Sequence, residues 1–230
     1  MRNISDELLP RFTMNGSIEV IDYYFNNSNM ILSRQYSAEL LEEVLEQVKK
    51  KIALSYAYTT TLLYKALDKY PITGHKTAIM GSVHPAYEMI AFDYGAFPTV
   101  VEYANLTINH PIIKSILFKD FTTSSEEYDS MLSISTFEHD GLGRYGDPIN
   151  PDGDIQAMRI SKEKIKKDGL LFLAVPNHER DKLYWNAHRV YGPNRLPVLL
   201  SGWEVVEKFG EEGTGDTPFL QPIWVLRNTK

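Results

Sequence analysis

The amino-acid sequence predicts an α/β fold built on a mostly parallel sheet. From Lys76 onward, short apolar runs alternate with stretches of helical pattern, which is typical of βαβ units. The last two apolar runs break this alternation, because only a Gly-, Thr- and Pro-rich connection separates them. Such a connection is too short and irregular for a helical crossover, so we expect these two strands to pair antiparallel.

Two helices are predicted near the N-terminus. Residues 37–50 begin with Ser37 as the N-cap, carry acidic residues in the first turns and lysines at the end, and place Leu and Val at helical spacing. A second helix is expected over residues 53–67, ending before Pro71. The aromatic segment 21–25 is assigned to the same part of the chain. We therefore predict a helical N-terminal extension, residues 1–70, and a main domain, residues 71–230.

The main domain contains seven candidate strands. In chain order they are residues 76–80, 99–103, 115–119, 129–135 and 169–176, followed by 203–207 and 223–227. Helical patterns fill residues 85–94, where Pro85 suits a first helical turn, and residues 154–167. A further short helix is expected over residues 196–200, packed on the sheet.

Composition excludes several classes of protein. The chain has 230 residues, of which 43% are apolar and 23% charged, as in an ordinary globular domain. No run of about 18 apolar residues occurs, so no membrane-spanning helix is expected. The N-terminus lacks the apolar core of a secretory signal. There is no cysteine, which rules out disulfides, thiolate metal sites and a Cys nucleophile, and we expect a cytoplasmic protein.

The charge distribution argues against a nucleic-acid partner. The formal net charge is −6, whereas binding to a phosphate backbone depends on clustered Lys and Arg. The basic cluster at residues 162–167 is interpreted as the solvent-exposed face of a helix.

Ionisable side chains and glycines follow the fourth candidate strand directly. Ligands of open α/β sheets bind in the crevice beyond the carboxyl ends of the strands. A buried strand that ends at such a cluster therefore predicts the floor of a functional site. The ionisable residues are Glu138, His139, Asp140, Arg144 and Asp147.

With these features, the sequence resembles two groups of known proteins. Five parallel strands and a C-terminal antiparallel pair, from about Lys76 to the end, resemble the class I S-adenosylmethionine-dependent methyltransferases, which implies a Rossmann-like seven-stranded sheet. The Ser-x-x-Glu-His exit of the fourth strand supports this. Residues 137–148, 153–154 and 186–192 resemble a small family catalogued as a domain of unknown function, first described from nematodes and also present in bacteria.

The methyltransferase resemblance implies S-adenosylmethionine as cofactor. The turn after the first strand would approach its methionine part, although this turn has one glycine where the superfamily has two or three. Glu102, at the end of the second strand, would accept hydrogen bonds from the ribose, and Asp120 would meet the adenine amino group. The full set of expected cofactor residues is Gly81, Ser82, Glu102, Tyr103, Asp120 and Ser135.

Three residues are expected to be catalytic. His139 is the preferred base, since neutral imidazole is available near pH 7; alternatively, it caps the strand exit by bonding backbone. Asp140 either orients that imidazole, shares a metal with it, or forms an Asx turn. His188 follows the fifth strand and is expected to face His139, with a surface position as the alternative. Whether a metal takes part is left open.

The loop after His139 is predicted to bind the acceptor. Its glycines and prolines are typical of a lid, and its acids and arginine suit a polyhydroxylated or anionic molecule, for example a sugar. The expected substrate residues are Arg144, Tyr145, Asp147, Arg189 and Tyr191. Asp154 is preferred as the N-cap of the following helix, and an exposed ion pair is the alternative for Arg189.

We thus expect an O-methyltransferase acting on a hydroxylated small molecule, possibly a saccharide unit, with no nucleic acid or membrane as partner. Two alternatives stay open. The chain would bind a nucleotide or sugar without methylating it, or it would be the partner subunit of another enzyme.

Overall fold

The computed structural model describes residues 3–27 and 33–230. Its elements, in chain order, are α1 (Leu9–Phe12), β1 (Glu19–Tyr23), β2 (Arg34–Tyr36), α2 (Ala38–Lys49), α3 (Ala57–Lys69), β3 (Lys76–Met80), α4 (Ala86–Asp93), β4 (Phe97–Glu102), β5 (Leu106–Ile108), β6 (Lys114–Leu117), α5 (Phe118–Thr123), β7 (Tyr128–Ile134), α6 (Gly153–Lys164), β8 (Ile165–Ala174), β9 (Lys182–Asn186), β10 (His188–Val190), α7 (Leu196–Leu199), β11 (Glu204–Phe209) and β12 (Ile223–Arg227). A single 3₁₀ turn, Phe137–His139, follows β7.

A seven-stranded sheet with the order β11-β12-β8-β7-β3-β4-β6 forms the centre of the molecule. Strands β6, β4, β3, β7 and β8 are parallel, whereas β12 runs antiparallel to both β8 and β11. The predicted Rossmann-like sheet, with five parallel strands and a C-terminal antiparallel pair, is confirmed.

Helices cover both faces of this sheet, which explains why its central strands are apolar almost throughout. One face packs against α2, α3 and α4 in a core that includes Leu63, Ile90 and Leu132. The other face packs against α5, α6 and α7 and includes Phe121 and Met158. The outcome is a three-layer α/β domain whose five parallel strands have their carboxyl ends at one edge.

Helix α2 begins where the sequence predicts it. The Ser37 hydroxyl accepts a hydrogen bond from the Leu40 N–H at 3.2 Å, and the buried side chains Leu41, Val44 and Val48 share one face. Helix α3 begins at Ala57, four residues later than expected, and the helix expected over 154–167 ends at Lys164 because β8 already begins at Ile165.

The N-terminal extension contains helices α2 and α3 but also strands. Strand β1 pairs parallel with β9, which pairs antiparallel with β10, and β2 pairs parallel with β5. These short strands have distant partners, so no local periodicity predicted them. The boundary between residues 1–70 and 71–230 stays a prediction. Among the residues placed by the structure, no helix has the length and apolarity to cross a membrane.

Candidate functional site

A pocket of about 190 Å³ lies beyond the carboxyl ends of β7 and β8. We call it the histidine pocket. Its walls come from five separate parts of the chain: the start of α3, the end of β7, the loop of residues 140–152, the β8–β10 region and the connection before β12. We call residues 140–152 the glycine loop. The lining residues are Tyr56, Ser135, Glu138, His139, Arg144, Tyr145, Pro176, His188, Phe219 and Gln221.

His139 is held as a neutral imidazole with its Nε2 atom available as a base. Its Nδ1 lies 2.6 Å from the Ala187 carbonyl oxygen, and because a carbonyl only accepts, Nδ1 carries the proton. Burial lowers the pKa of His139 to about 3; the Ala187 bond opposes this effect and the charge of Arg144 adds to it. The backbone bond expected as the alternative for His139 is therefore present, and the role of His139 as a base stays a prediction.

The carboxyl group of Glu138 lies beside the His139 imidazole. It is fully buried, and its Oε1 accepts a 2.6 Å hydrogen bond from the Ser135 hydroxyl and lies 3.8 Å from His139 Nε2. In the described part of the chain, Oε2 has no hydrogen-bond partner. Burial raises the pKa of Glu138 to about 7. A carboxyl group that titrates near neutral pH beside an imidazole is suited to proton transfer.

Ser135 connects this carboxyl group to the C-terminal strand pair. It has a positive φ of 55°, which is uncommon for a residue other than glycine. Its hydroxyl also accepts a 3.2 Å hydrogen bond from Gln221 Nε2. Ser135 therefore lies in the histidine pocket as a support for Glu138, in a backbone conformation typical of functional sites.

His188 faces His139, as the sequence predicts. The ring centroids of the two histidines are 6.3 Å apart, and the His188 ring packs between Tyr184, at 4.9 Å, and Phe219, at 5.1 Å. Burial lowers the pKa of His188 to about 4, and no described residue hydrogen-bonds its Nε2. The aromatic contacts fix this ring as a second neutral imidazole in the pocket wall.

Arg144 and Tyr145 extend from the glycine loop into the pocket. Arg144 donates from Nε to the Asn27 side chain at 2.9 Å and from Nη1 to the Ala187 carbonyl at 3.1 Å. Its guanidinium carbon lies about 5 Å from the ring centroids of both Phe25 and Tyr145. The loop thus places a cation and an aromatic ring beside the two histidines.

Asp147 and Arg189 hold the glycine loop in place through hydrogen bonds to its backbone. Asp147 Oδ2 accepts hydrogen bonds from the N–H groups of Gly141, at 2.8 Å, and Gly143, at 3.1 Å. Arg189 is buried and donates to the carbonyl oxygens of Asp140, Asn150 and Pro151. We expected both side chains to touch the acceptor, but this placement assigns them to the loop that carries Arg144.

The expectation that Asp154 caps α6 is wrong. The N-cap residue is Asp152, and Asp154 is a fully buried carboxylate inside the first turn. Asp154 accepts two hydrogen bonds from Arg195, at 2.5 and 2.8 Å, and one from the Tyr191 hydroxyl at 2.9 Å. Despite burial, which acts the other way, Arg189 and Arg195 hold the pKa of Asp154 below its usual value. Tyr191 therefore belongs to this structural network, away from the pocket lining.

Asp140 is not among the residues that line the histidine pocket. Burial raises its pKa well above the usual value for aspartate, and its backbone carbonyl accepts a 2.7 Å bond from Arg189.

No group of three or more metal-ligating side chains is found within residues 3–27 and 33–230.

The turn after β3 brings three of the expected cofactor residues together. Gly81 has a φ of 66°, and the Ser82 N–H donates to Glu102 Oε1 at 2.5 Å. Arg34 donates to the same oxygen at 2.7 Å, and the Tyr36 hydroxyl is 2.8 Å from the Ser82 hydroxyl. Strand β2 of the N-terminal extension thus lies directly on this turn.

Tyr103 and Asp120 lie further along the same sheet edge. The Tyr103 ring packs on Phe118 with centroids 4.8 Å apart. Asp120 lines a second cavity of about 530 Å³, together with Asn105 and Leu117. The edge therefore carries two neighbouring concavities, one at β4 and β6 and one at β7 and β8.

Several pocket residues were not predicted from the sequence. Gln221 and Phe219 come from the connection before β12, far from the β7 exit in sequence, so no local motif includes them. The sequence placed Glu138 only within the ionisable cluster after the fourth strand, because its complete burial alone distinguishes it from an ordinary acidic residue.

Solved structures of several proteins share the fold. A 1,6-didemethyltoxoflavin-N1-methyltransferase of Burkholderia thailandensis, solved with 1,6-didemethyltoxoflavin and S-adenosylhomocysteine, is 12% identical, with a TM-score of 0.57 over 91% of this chain and 94% of that one. TehB from Haemophilus influenzae is 15% identical, with a TM-score of 0.53 over 81% and 67%. The [4+2]-cyclase SpnF is 12% identical, with a TM-score of 0.53 over 92% and 99%. At these identities the likeness establishes the fold, and the named activities differ.

A search of curated proteins finds no match to the chain. Residues 74–221 match the family described as "Caenorhabditis protein of unknown function, DUF268". The matched stretch includes all three sequence segments that resemble such a family and all of the pocket lining except Tyr56. The chain therefore belongs to this family of unknown function.

Proposed function

We propose that this protein is an S-adenosylmethionine-dependent O-methyltransferase that acts on a hydroxylated small molecule, such as a saccharide unit. The observation that carries the proposal is the orientation of His139, whose Nδ1 proton is held by Ala187 and whose Nε2 is left as a base at the sheet edge. The shared fold with a methyltransferase solved with S-adenosylhomocysteine supports the choice of cofactor.

The side chains at the sheet edge fit this cofactor. Glu102 Oε2 accepts a 3.3 Å bond from Tyr103 N and retains lone pairs for ribose hydroxyls. The exposed fraction of Val83 is 69%, so this side chain points to solvent and leaves the turn after Gly81 accessible. Gly81, Ser82, Glu102, Tyr103 and Asp120 would hold the cofactor.

Bound S-adenosylmethionine supplies an electrophilic methyl group. In the proposed reaction His139 Nε2 accepts the proton of the acceptor hydroxyl as its oxygen becomes the nucleophile. The Glu138 carboxyl group lies 3.8 Å from Nε2, and in its ionised form it stabilises the resulting imidazolium. Ser135 and Gln221 keep the carboxyl group in place, and the aromatic walls limit water around the base.

The alternative of a ligand-binding protein without methyl transfer has one observation in its favour. Glu102 Oε1, at the expected ribose position, already accepts hydrogen bonds from Ser82 and Arg34. A ribose would share this carboxylate with them. Cofactor binding therefore separates the two functions.

The test is isothermal titration calorimetry with S-adenosylmethionine and S-adenosylhomocysteine. Wild type should bind both, and Glu102→Gln should weaken binding about 10- to 100-fold, because hydrogen bonds to a charged group contribute about 1.5–3 kcal/mol. His139→Gln should keep the affinity and abolish methyl transfer from labelled cofactor to hydroxylated acceptors.

Glu204→Gln is the matched control, because Glu204 is an exposed carboxylate on β11 that pairs with Arg227. It should bind like wild type. If neither cofactor produces heat or raises the unfolding temperature at about millimolar concentration, the methyltransferase proposal is rejected and the binding function takes its place.

A further inference from the structure

We infer that the acceptor is an acid, a hydroxylated ring that carries a carboxylate or phosphate group, and that Arg144 binds this anionic group. The inference rests on the proposed function for the site and narrows its substrate class. The observations that carry it are the hydrogen bonds of Arg144, the charges around it and the aromatic lining of the histidine pocket.

The guanidinium of Arg144 is held in place, but not all of its N–H donors have a hydrogen-bond partner among the described residues. Nε donates to Asn27 and one Nη1 proton donates to the Ala187 carbonyl, and both acceptors are neutral. An arginine has five N–H donors, so the outer edge of the guanidinium keeps donors for a ligand. Phe25 and Tyr145 lie over the guanidinium and fix its plane. This geometry suits a planar or tetrahedral oxyanion.

The other buried arginines of this molecule show what a purely structural guanidinium looks like. Arg195 pairs with the Asp154 carboxylate through two nitrogens and also donates to the Pro151 carbonyl. Arg189 donates to several backbone carbonyls and lies 3.7 Å from Asp154. For Arg144, no ion pair with a carboxylate is found in the described portion of the chain.

The groups around Arg144 do not neutralise its charge. Asp147, on the same loop, directs its carboxylate to backbone N–H groups. Burial raises the pKa of Glu138 to about 7 and lowers the pKa values of His139 and His188, so both imidazoles are uncharged. Among the described residues of the pocket, Arg144 is therefore the one full positive charge and has no direct ion pair, while Glu138 is only partly ionised near pH 7. A guanidinium without a salt-bridge partner at a partly buried site favours an anionic ligand.

The rest of the lining suits the hydroxylated ring that would carry this anion. Tyr56, Tyr145 and Phe219 supply aromatic surface, and a volume of about 190 Å³ accommodates one six-membered ring with its substituents. A hydroxyl at His139 and an oxyanion at Arg144 would lie on the same molecule. Hexuronic acids and sugar phosphates both meet this description.

The experiment compares D-glucuronate, its neutral 6-methyl ester, D-glucose and D-glucose 6-phosphate by ligand-observed NMR. Each probe is titrated with and without S-adenosylhomocysteine. We expect glucuronate or glucose 6-phosphate to bind about tenfold or more tightly than the ester and glucose, since one charge-assisted contact contributes about 1.5–3 kcal/mol. The preferred anion identifies the group as carboxylate or phosphate.

Arg144→Met should remove this preference and leave S-adenosylhomocysteine affinity unchanged. Arg180→Met is the matched control, because Arg180 is exposed on the loop after β8. Equal affinity for charged and neutral probes, no binding of any probe, or an unchanged preference in Arg144→Met would overturn the inference. If Arg144→Met does not fold, the affinities of wild type for glucuronate and for its methyl ester still test the inference. Failure of S-adenosylhomocysteine to bind rejects the proposed function alone, since the probes are also titrated without it.

Discussion

At the scale of single residues, the site depends on side chains whose charge is set by burial. Glu138 and His139 are neighbours in sequence, yet burial shifts the pKa of the carboxyl group up to about 7 and that of the imidazole down to about 3. Two titratable groups with such displaced values are typical of acid–base sites. Both groups favour the neutral form in the folded protein.

The raised pKa of Glu138 predicts a pH-dependent contribution to stability. A carboxyl group whose folded pKa exceeds its unfolded value of about 4.5 stabilises the fold fully at lower pH, and this contribution is lost as pH rises to about 7. The free energy of unfolding of wild type relative to Glu138→Gln should therefore fall by about 3 kcal/mol between pH 4.5 and 8. Urea unfolding across that range measures it.

The comparison with Glu138→Gln is needed because buried histidines act in the opposite direction. The lowered pKa values of His139 and His188 make the fold gain stability as pH rises toward 6.5, and this gain is common to both proteins. Glu42→Gln, on the exposed face of α2, is the control for loss of a carboxylate. A difference that stays flat over the pH range would contradict the assignment.

At the scale of elements, the turn between β3 and α4 shows why Gly81 has to be a glycine, although the methyltransferase superfamily has two or three glycines in this turn. Gly81 has a φ of 66°, and a Cβ there would lie 2.9 Å from the Thr136 methyl carbon. Thr136 in turn donates from its hydroxyl to the Met80 carbonyl at 2.8 Å. The glycine is required by the contact between the β3 and β7 exits, in addition to any role toward a cofactor.

Gly81→Ala should therefore destabilise the protein through two separable effects. The left-handed backbone costs about 1–2 kcal/mol for alanine, and the contact with Thr136 adds to it. In a Thr136→Ser background, which removes the methyl group at 2.9 Å and keeps the hydroxyl at 3.2 Å, the loss should be smaller. Gly16→Ala is the control, since Gly16 has a φ of 90° and nothing within 4 Å of the added Cβ. Equal losses in both backgrounds would refute the contact.

At the scale of the whole molecule, Asp154 joins parts of the chain that lie far apart in sequence. It is the buried carboxylate that connects α6 to Tyr191 and Arg195, and Arg195 also holds the loop before α6 through Pro151. This network supports the glycine loop from behind. The acceptor side of the site therefore depends on an ion pair that does not touch a ligand.

Asp154→Asn should cost about 3–5 kcal/mol in the free energy of unfolding, because it leaves two buried guanidinium groups without their counter-ion. Thermal and urea unfolding measure this loss. Asp152→Asn removes a carboxylate two residues away whose partner, Arg11, is more than half exposed, and should cost at most about 1 kcal/mol. Similar losses for the two variants would show that the buried pair contributes little.

Local patterns in the sequence were enough to predict a central sheet of five parallel strands with an antiparallel C-terminal pair, and the sheet edge where the polar residues meet. Apolar runs, helical periodicity and the Ser37 cap are local signals, and a parallel sheet brings its carboxyl ends together whatever the loops do. Only the tertiary structure decided which polar groups face the pocket. Arg189, Tyr191 and Asp147 proved to support the loop, whereas Glu138 and Gln221 entered the pocket, because burial and hydrogen-bond partners depend on contacts between residues distant in sequence.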